Sequence, residues 1–148
     1  FDSPIVSDTA ALNGLIEAVL ATGADIRVLR DPTRGGLATT LNEIARQSGV
    51  GMMLQENALP VNAAVDAACE LLGLDPLYVA NEGKLVVICG ENDAEMVLTA
   101  MRQHPLGRNA AAIGRVQPDA NHFVQMTTAF GGRRMVDWLS GEQLPRIC

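Results

Sequence analysis

Three places in the sequence bring together residue types that can do chemistry. The first is the end, Leu144-Pro145-Arg146-Ile147-Cys148. A cysteine that closes a chain is sterically free, and its thiolate is a nucleophile that can carry a transferred group. A tail of about nine residues reaches on the order of 30 Å when extended, far enough to visit two sites. The carboxylate on the same residue opposes thiolate formation by like-charge repulsion, part of which Arg146 could offset. Single exposed cysteines have no general function, and on the residues alone that plainer reading leads.

The second place is Arg30-Asp31-Pro32-Thr33-Arg34-Gly35-Gly36, between an expected strand and an expected helix. Helix N-terminal amides, left bare by Gly35 and Gly36, favour an anion, and Arg34 could clamp a phosphate or carboxylate. The other reading is a tight turn in which Asp31 caps and Arg34 pairs locally, and the residues leave the two even. The segment is not a P-loop, because it lacks the Gly-Lys-Ser/Thr ending. The third place is Asn81-Glu82-Gly83-Lys84, before a buried strand. Glu82 could face a cleft at the sheet edge, with a raised pKa, as a general base. A solvated turn with a Glu–Lys surface pair is the plainer reading, and the pattern alone favours it. His104 and His122 have no partners at ligand spacing, so no metal site is expected. Cys69 and Cys89 sit in apolar runs and read as core. With an odd cysteine count and no Cys-x-x-Cys pair, neither a disulfide scaffold nor a zinc site is expected.

Periodicity supplies the elements that must hold these residues. Asp8 can cap a helix with Leu12, Leu15, Ile16, Val19 and Leu20 on one face, ending at Gly23. A strand through Ile26, Val28 and Leu29 precedes the Gly35-Gly36 turn. A helix then places Leu37, Leu41, Ile44 and Ala45 inward and stops at Gly49. Val50 to Leu54 reads as a strand. Pro60 suits the first turn of a third helix whose apolar positions are Val61, Ala64, Val65, Ala68, Leu71 and Leu72. Residues 75–77 read as a loop. Leu85 to Cys89 is a continuous apolar run, expected to be covered on both faces. Asn92 and Glu95 have capping-box spacing for a fourth helix that buries Ala94, Val97, Leu98 and Met101. Ala111 to Val116 and Phe123 to Thr127 read as strands joined by a polar turn, and Arg133 to Trp138 as the last strand. The pattern predicts a layered α/β (α+β) fold: one domain over 1–139 and a flexible tail over 140–148.

Composition narrows the class. The 148 residues carry a formal charge of -6 without a basic run, which argues against nucleic acid as a partner. No apolar stretch is long enough to span a membrane and no secretory signal opens the chain, so a cytoplasmic location is expected. The first residue is Phe1, which suggests a processed or truncated product. Only 3% of residues are aromatic, so the core must be aliphatic, with the six methionines filling gaps.

Several stretches together carry a family resemblance: residues 1–10 (Phe1-Asp2-Ser3-Pro4-Ile5-Val6-Ser7-Asp8-Thr9-Ala10), Arg30 to Thr39, Asn42-Glu43-Ile44-Ala45, Asp75-Pro76-Leu77-Tyr78, Asn81 to Lys84, and Pro145-Arg146-Ile147-Cys148. From end to end the chain resembles the C-terminal domain of the HypE family of hydrogenase maturation factors. These belong to the superfamily of aminoimidazole ribonucleotide synthetase and selenophosphate synthetase, and the Pro-Arg-Ile-Cys ending separates them from those relatives. The resemblance implies the synthetase C-terminal fold, a mixed β-sheet with packed helices, partly ferredoxin-like. It implies that Cys148 accepts a carbamoyl group from carbamoyl phosphate through the carbamoyltransferase HypF. ATP then drives dehydration to a thiocyanate, with Glu82 as base. Cyanide passes to iron on the HypC–HypD complex, for nickel-iron hydrogenase. Family members carry a further N-terminal domain that binds most of the ATP, with Mg, and forms a homodimer; Arg34, Gly35 and Gly36 would add to the phosphate region. This chain alone is therefore expected to be inactive. The alternatives are a non-catalytic module that presents a C-terminal peptide, and a selenophosphate-synthetase-like relative.

Overall fold

The computed structural model describes residues 5–138. Its elements alternate as expected: α1 (Asn13–Leu20), β1 (Ile26–Arg30), α2 (Gly36–Ser48), β2 (Gly51–Gln55), α3 (Ala63–Leu72), β3 (Val86–Cys89), α4 (Ala94–Gln103), β4 (Gly114–Gln117), β5 (Val124–Thr127) and β6 (Arg133–Met135). The fold is mixed α/β with two sheets. β1 and β3 form an antiparallel pair, and the larger sheet has the order β4-β2-β5-β6. In it β2 runs parallel to β5, while its other pairings are antiparallel.

Two apolar clusters meet at the β1–β3 pair. Leu41, Ile44 and Ala45 of α2 pack with Met52, Leu54, Val124 and Met126 of the larger sheet. Leu15 and Val19 of α1 pack with Val97 and Met101 of α4. Val86 and Ile88 face the first cluster, whereas Val87 and Cys89 face the second, so β3 is covered on both faces as its apolar run predicts. β1 does the same by a different device. Its register shifts between Ile26 and Val28, so Ile26 opposite Cys89 faces the second cluster and Val28 opposite Ile88 faces the first. An extra residue in a strand reverses the faces that follow it.

Several boundary expectations are corrected. Asp8 does not cap α1; the helix opens after Leu12 without a side-chain cap, because Asp8 is drawn to Lys84 instead. Pro60 lies before α3, whose cap is Asn62 accepting from the Ala64 amide. Leu71 and Leu72 are exposed, 79% and 67%, rather than inward. Glu91–Asp93 form a 3₁₀ turn ahead of α4 in place of the expected capping box, and the Asp93 carboxylate accepts from the Asp25 amide. Residues 76–78 are a 3₁₀ turn capped by Asp75, not an open loop. β4 and β5 are joined by the polar turn but are not neighbours: β2 enters between them, placing Met52 opposite both Val116 and Val124. His122, in that turn, adopts a left-handed conformation at φ 57°.

Candidate functional site

Three segments far apart in sequence converge at one end of β1 and β3. The Asn81 amide donates to the Pro32 carbonyl at 3.1 Å, which ties the Asn-Glu-Gly-Lys turn to the loop after β1. Residues 8–10 cross over Gly83, and a Cβ there would strike the Asp8 carbonyl and come within 3.1 Å of the Ala10 nitrogen. Only glycine permits this crossing. Lys84 Nζ then donates to Asp8 Oδ2 at 2.6 Å and holds the crossing in place. Arg30 Nη2 pairs with Glu43 Oε2 at 2.8 Å, anchoring the end of β1 to α2.

The convergence leaves a cleft of about 340 Å³. Its apolar wall comes from Leu12, Ile16, Leu29 and Leu85, and its rim carries Arg30, Asp31, Glu82 and Lys84. Glu82 is exposed, at the edge of an apolar surface. An acceptor carboxylate beside cations that attract an anion can remove a proton from a polar group docked in the cleft.

Arg34, Gly35 and Gly36 do not line this cleft. Gly35 and Gly36 take left-handed angles, φ 71° and 63°, and open α2 without a side-chain cap. Gly36 is buried: a Cβ would lie 2.5 Å from the Leu77 carbonyl oxygen and 2.6 Å from that of Val79. Its amide donates to the Thr33 carbonyl at 3.1 Å. The bareness of Gly36 thus serves close packing on residues 77–79. Arg34 is exposed on the same turn. The Thr39 hydroxyl, buried beside Gly35, has no hydrogen-bond partner among the described residues. Cys148 lies outside the described residues.

Reading the sequence missed Arg30 and Asp31 as rim residues, and Asp8 as the partner that holds Lys84. The available signal was that residues 8, 30–31 and 82–84 all sit in the stretches that carry the family resemblance. Burial, followed by the charges of Asp66 and Asp75, pushes the Cys69 thiol up. Burial, followed by Asp93 and Asp25, does the same for Cys89. Both therefore hold their protons at neutral pH and are poor nucleophiles. His104 Nδ1 accepts from the Leu106 amide, a structural role. Among the described residues no three His, Cys, Asp or Glu side chains gather as metal ligands.

The family model for the AIR synthase related protein, C-terminal domain, matches residues 2–127. The chain belongs to this family. This AIR-synthase-related domain is 70% identical over 148 residues to the carbamoyl dehydratase HypE of Cupriavidus necator, covering all of this chain and 42% of that protein. A crystal structure of the hydrogenase maturation protein HypE superposes with a TM-score of 0.93 at 50% identity, over 100% of this chain and 48% of that one. A HypE structure in complex with ATP gives 0.91 at 49% identity, over 100% and 45%. A HypE–HypF complex gives 0.89 at 47% identity, over 94% and 45%. The domain spans less than half the length of the curated relatives it matches. No helix among its described residues is long and apolar enough to cross a membrane.

Proposed function

We propose that this domain is the carrier and base-bearing part of an ATP-dependent carbamoyl dehydratase of the HypE type. The observation that carries the reading is the convergence of residues 8–10, 30–31 and 82–84 on one cleft with Glu82 at its edge. The likeness to carbamoyl dehydratases over the whole chain supports it.

Cys148 accepts a carbamoyl group, giving a thiocarbamate on sulfur. HypF is the donor protein, a role supported by the relative solved with HypF. The thiocarbamate then docks at the cleft. An amide oxygen is a poor leaving group, so it is first phosphorylated by ATP, as fits the relative solved with that nucleotide. Phosphorylation releases ADP and one nitrogen proton, giving an O-phosphorylated imidate; Glu82 then removes the second nitrogen proton as phosphate departs with the oxygen, leaving a thiocyanate. The apolar wall of Leu12, Ile16, Leu29 and Leu85 keeps water from the activated intermediate. Cys148 is favoured over the other thiols because burial keeps Cys69 and Cys89 protonated. Arg34 and Gly35 lie at the start of α2 and contribute to the phosphate region, while Gly36 supplies the close packing beneath that turn. ATP, accompanied by Mg on its phosphates, is held mainly by the remaining part of the full-length protein, which also forms the homodimer. The cyano group is passed to iron on HypC–HypD, where a two-electron donor on that complex splits the S–C bond into the Cys148 thiolate and cyanide. A cytoplasmic location goes with this reading, since ATP is supplied there.

The test uses the full-length protein with HypF, carbamoyl phosphate and ATP, followed by mass spectrometry of the peptide that holds Cys148. A carbamoyl mass gain and then a loss of water are expected there. Modification that survives Cys148→Ala rejects the carrier. Glu82→Gln should still accept the carbamoyl group but dehydrate it about 10²-fold more slowly. Normal dehydration in that variant removes Glu82 from the mechanism.

A further inference from the structure

The turn that carries Glu82 is tied down unevenly. On its N-terminal side the Asn81 amide donates to the Pro32 carbonyl, and Asn81 Nδ2 donates to the Val79 carbonyl at 2.7 Å. Past Asn81, the ladder with β1 begins only at Val86. Between the two, no backbone hydrogen bond joins Glu82, Gly83 or Lys84 to another segment among the described residues. The Glu82 carboxylate has no hydrogen-bond or ion-pair partner there either, so its position is set wholly by its neighbours in the chain. On the C-terminal side two things hold those neighbours: the crossing of residues 8–10 over Gly83, and the pair between Lys84 Nζ and Asp8 Oδ2.

The crossing segment depends on the same pair. The Ser7 and Thr9 hydroxyls bond each other at 3.1 Å, which keeps their hydrogen bond within the segment. Among the described residues, the one hydrogen bond from residues 6–11 to another part of the domain is that from Lys84 to Asp8. Ala10, next to this tie, and Leu12 beyond it both line the cleft. The paired side chains are half exposed, 50% for Lys84 and 41% for Asp8, so the pair is modest in strength. Its importance comes from its place: it is the sole polar tie between two segments that have little else to hold them.

We propose that Asp8 is a positioning residue for Glu82. Through Lys84 it clamps residues 8–10 onto Gly83, and so sets where the Glu82 carboxylate stands at the cleft without touching the reacting atoms. This rests on Glu82 being the base of the dehydration step. A base that is free to wander spends less time within reach of its proton, and a displacement of about 1 Å is enough to cost rate.

The test uses the full-length protein with Cys148 already carbamoylated, and follows the loss of water after ATP is added. Asp8→Asn keeps the shape of the side chain and removes its charge. It should slow dehydration about 3- to 10-fold, with the rate of carbamoylation and the KM for ATP unchanged, and Asp8→Glu should recover most of the loss. Adding Asp8→Asn to Glu82→Gln should cost no more than Glu82→Gln alone, because a positioning residue has nothing to position once its base is gone. A second reading needs no turnover. The thiol introduced by Ala10→Cys, at a half-buried position in the cleft wall, should react with iodoacetamide about 2- to 5-fold faster when Asp8→Asn is added. An undiminished dehydration rate in Asp8→Asn overturns the proposal, as does an equal loss with and without Glu82→Gln, or unchanged labelling at residue 10. If Glu82 were not the base, Glu82→Gln alone would dehydrate normally, and the labelling would still decide whether Asp8 is the clamp.

Discussion

Gly83 shows how much of the site depends on a side chain that is not there. The segment at residues 8–10 occupies the space a Cβ would need, with the Asp8 carbonyl closest. Gly83→Ala should therefore push residues 8–10 off the turn, break the Lys84–Asp8 pair and shift Glu82 at the rim. A destabilisation of about 1–3 kcal/mol is expected from a clash of this kind, read as a lower urea midpoint. Under the proposed function, the dehydration step of the full-length protein should slow in the same variant while carbamoylation of Cys148 continues. An alanine variant with wild-type stability would show that the crossing adapts. At this scale the sequence places Glu82 in the turn before β3, where the structure has it, but misleads on Asp8. An aspartate five residues before a helix looks like a cap, whereas its actual partner, Lys84, is 76 residues away. Local rules rank the nearest orphan amide as the partner and have no access to a cation brought in by folding. Gly36 misleads in a related way: its bareness suggests an open anion site, and the structure uses it to pack on the Leu77 and Val79 carbonyls.

Among the elements, the short turn at Pro76–Tyr78 connects α2, the end of β6 and the Glu82 loop. Asp75 holds it twice, accepting from the Leu77 amide at 3.0 Å through Oδ1 and pairing with Arg134 through Oδ2. Two substitutions separate these roles. Asp75→Asn keeps a good cap and loses the charge, so it should cost under about 1 kcal/mol, since the pair is partly exposed. Asp75→Ala loses both and should cost about 1 kcal/mol more. Equal midpoints for the two variants in urea would assign the whole effect to the ion pair. The existence of the elements is legible throughout, and β3 most clearly, because an unbroken apolar run of that length fits a strand covered on both faces. Three features are not legible, for one reason. The shift in β1, the entry of β2 between β4 and β5, and the exposure of Leu71 and Leu72 all depend on which element lies opposite. Helical spacing makes Leu71 and Leu72 look inward, but α3 ends over solvent and buries only Cys69 among its residues.

For the whole molecule, the decisive feature is that both apolar clusters include residues of β3. Val86 and Ile88 belong to one face, Val87 and Cys89 to the other, so neither cluster can lose its β3 wall without disturbing the other. Cooperative, all-or-none unfolding follows from such sharing. Trp138, the sole tryptophan, provides a local probe because it sits over Arg46 of α2, on the side of the first cluster. Val87→Ala removes methyl groups from the second cluster only, at a cost of about 1–2 kcal/mol. If the clusters are coupled, the urea transition followed by Trp138 fluorescence should move to lower denaturant by the same amount as the transition followed by helical circular dichroism. A fluorescence midpoint that stays in place while the helical signal shifts would separate the molecule into two independently melting halves. Coupling also bears on function, because the cleft is walled by Leu12 and Ile16 from the α1 side and by Leu29 and Leu85 from the β1–β3 side. Leu12, Leu29 and Leu85 pack on the second cluster, so under the proposed function the full-length protein should lose the dehydration step on warming together with the common transition and not before it.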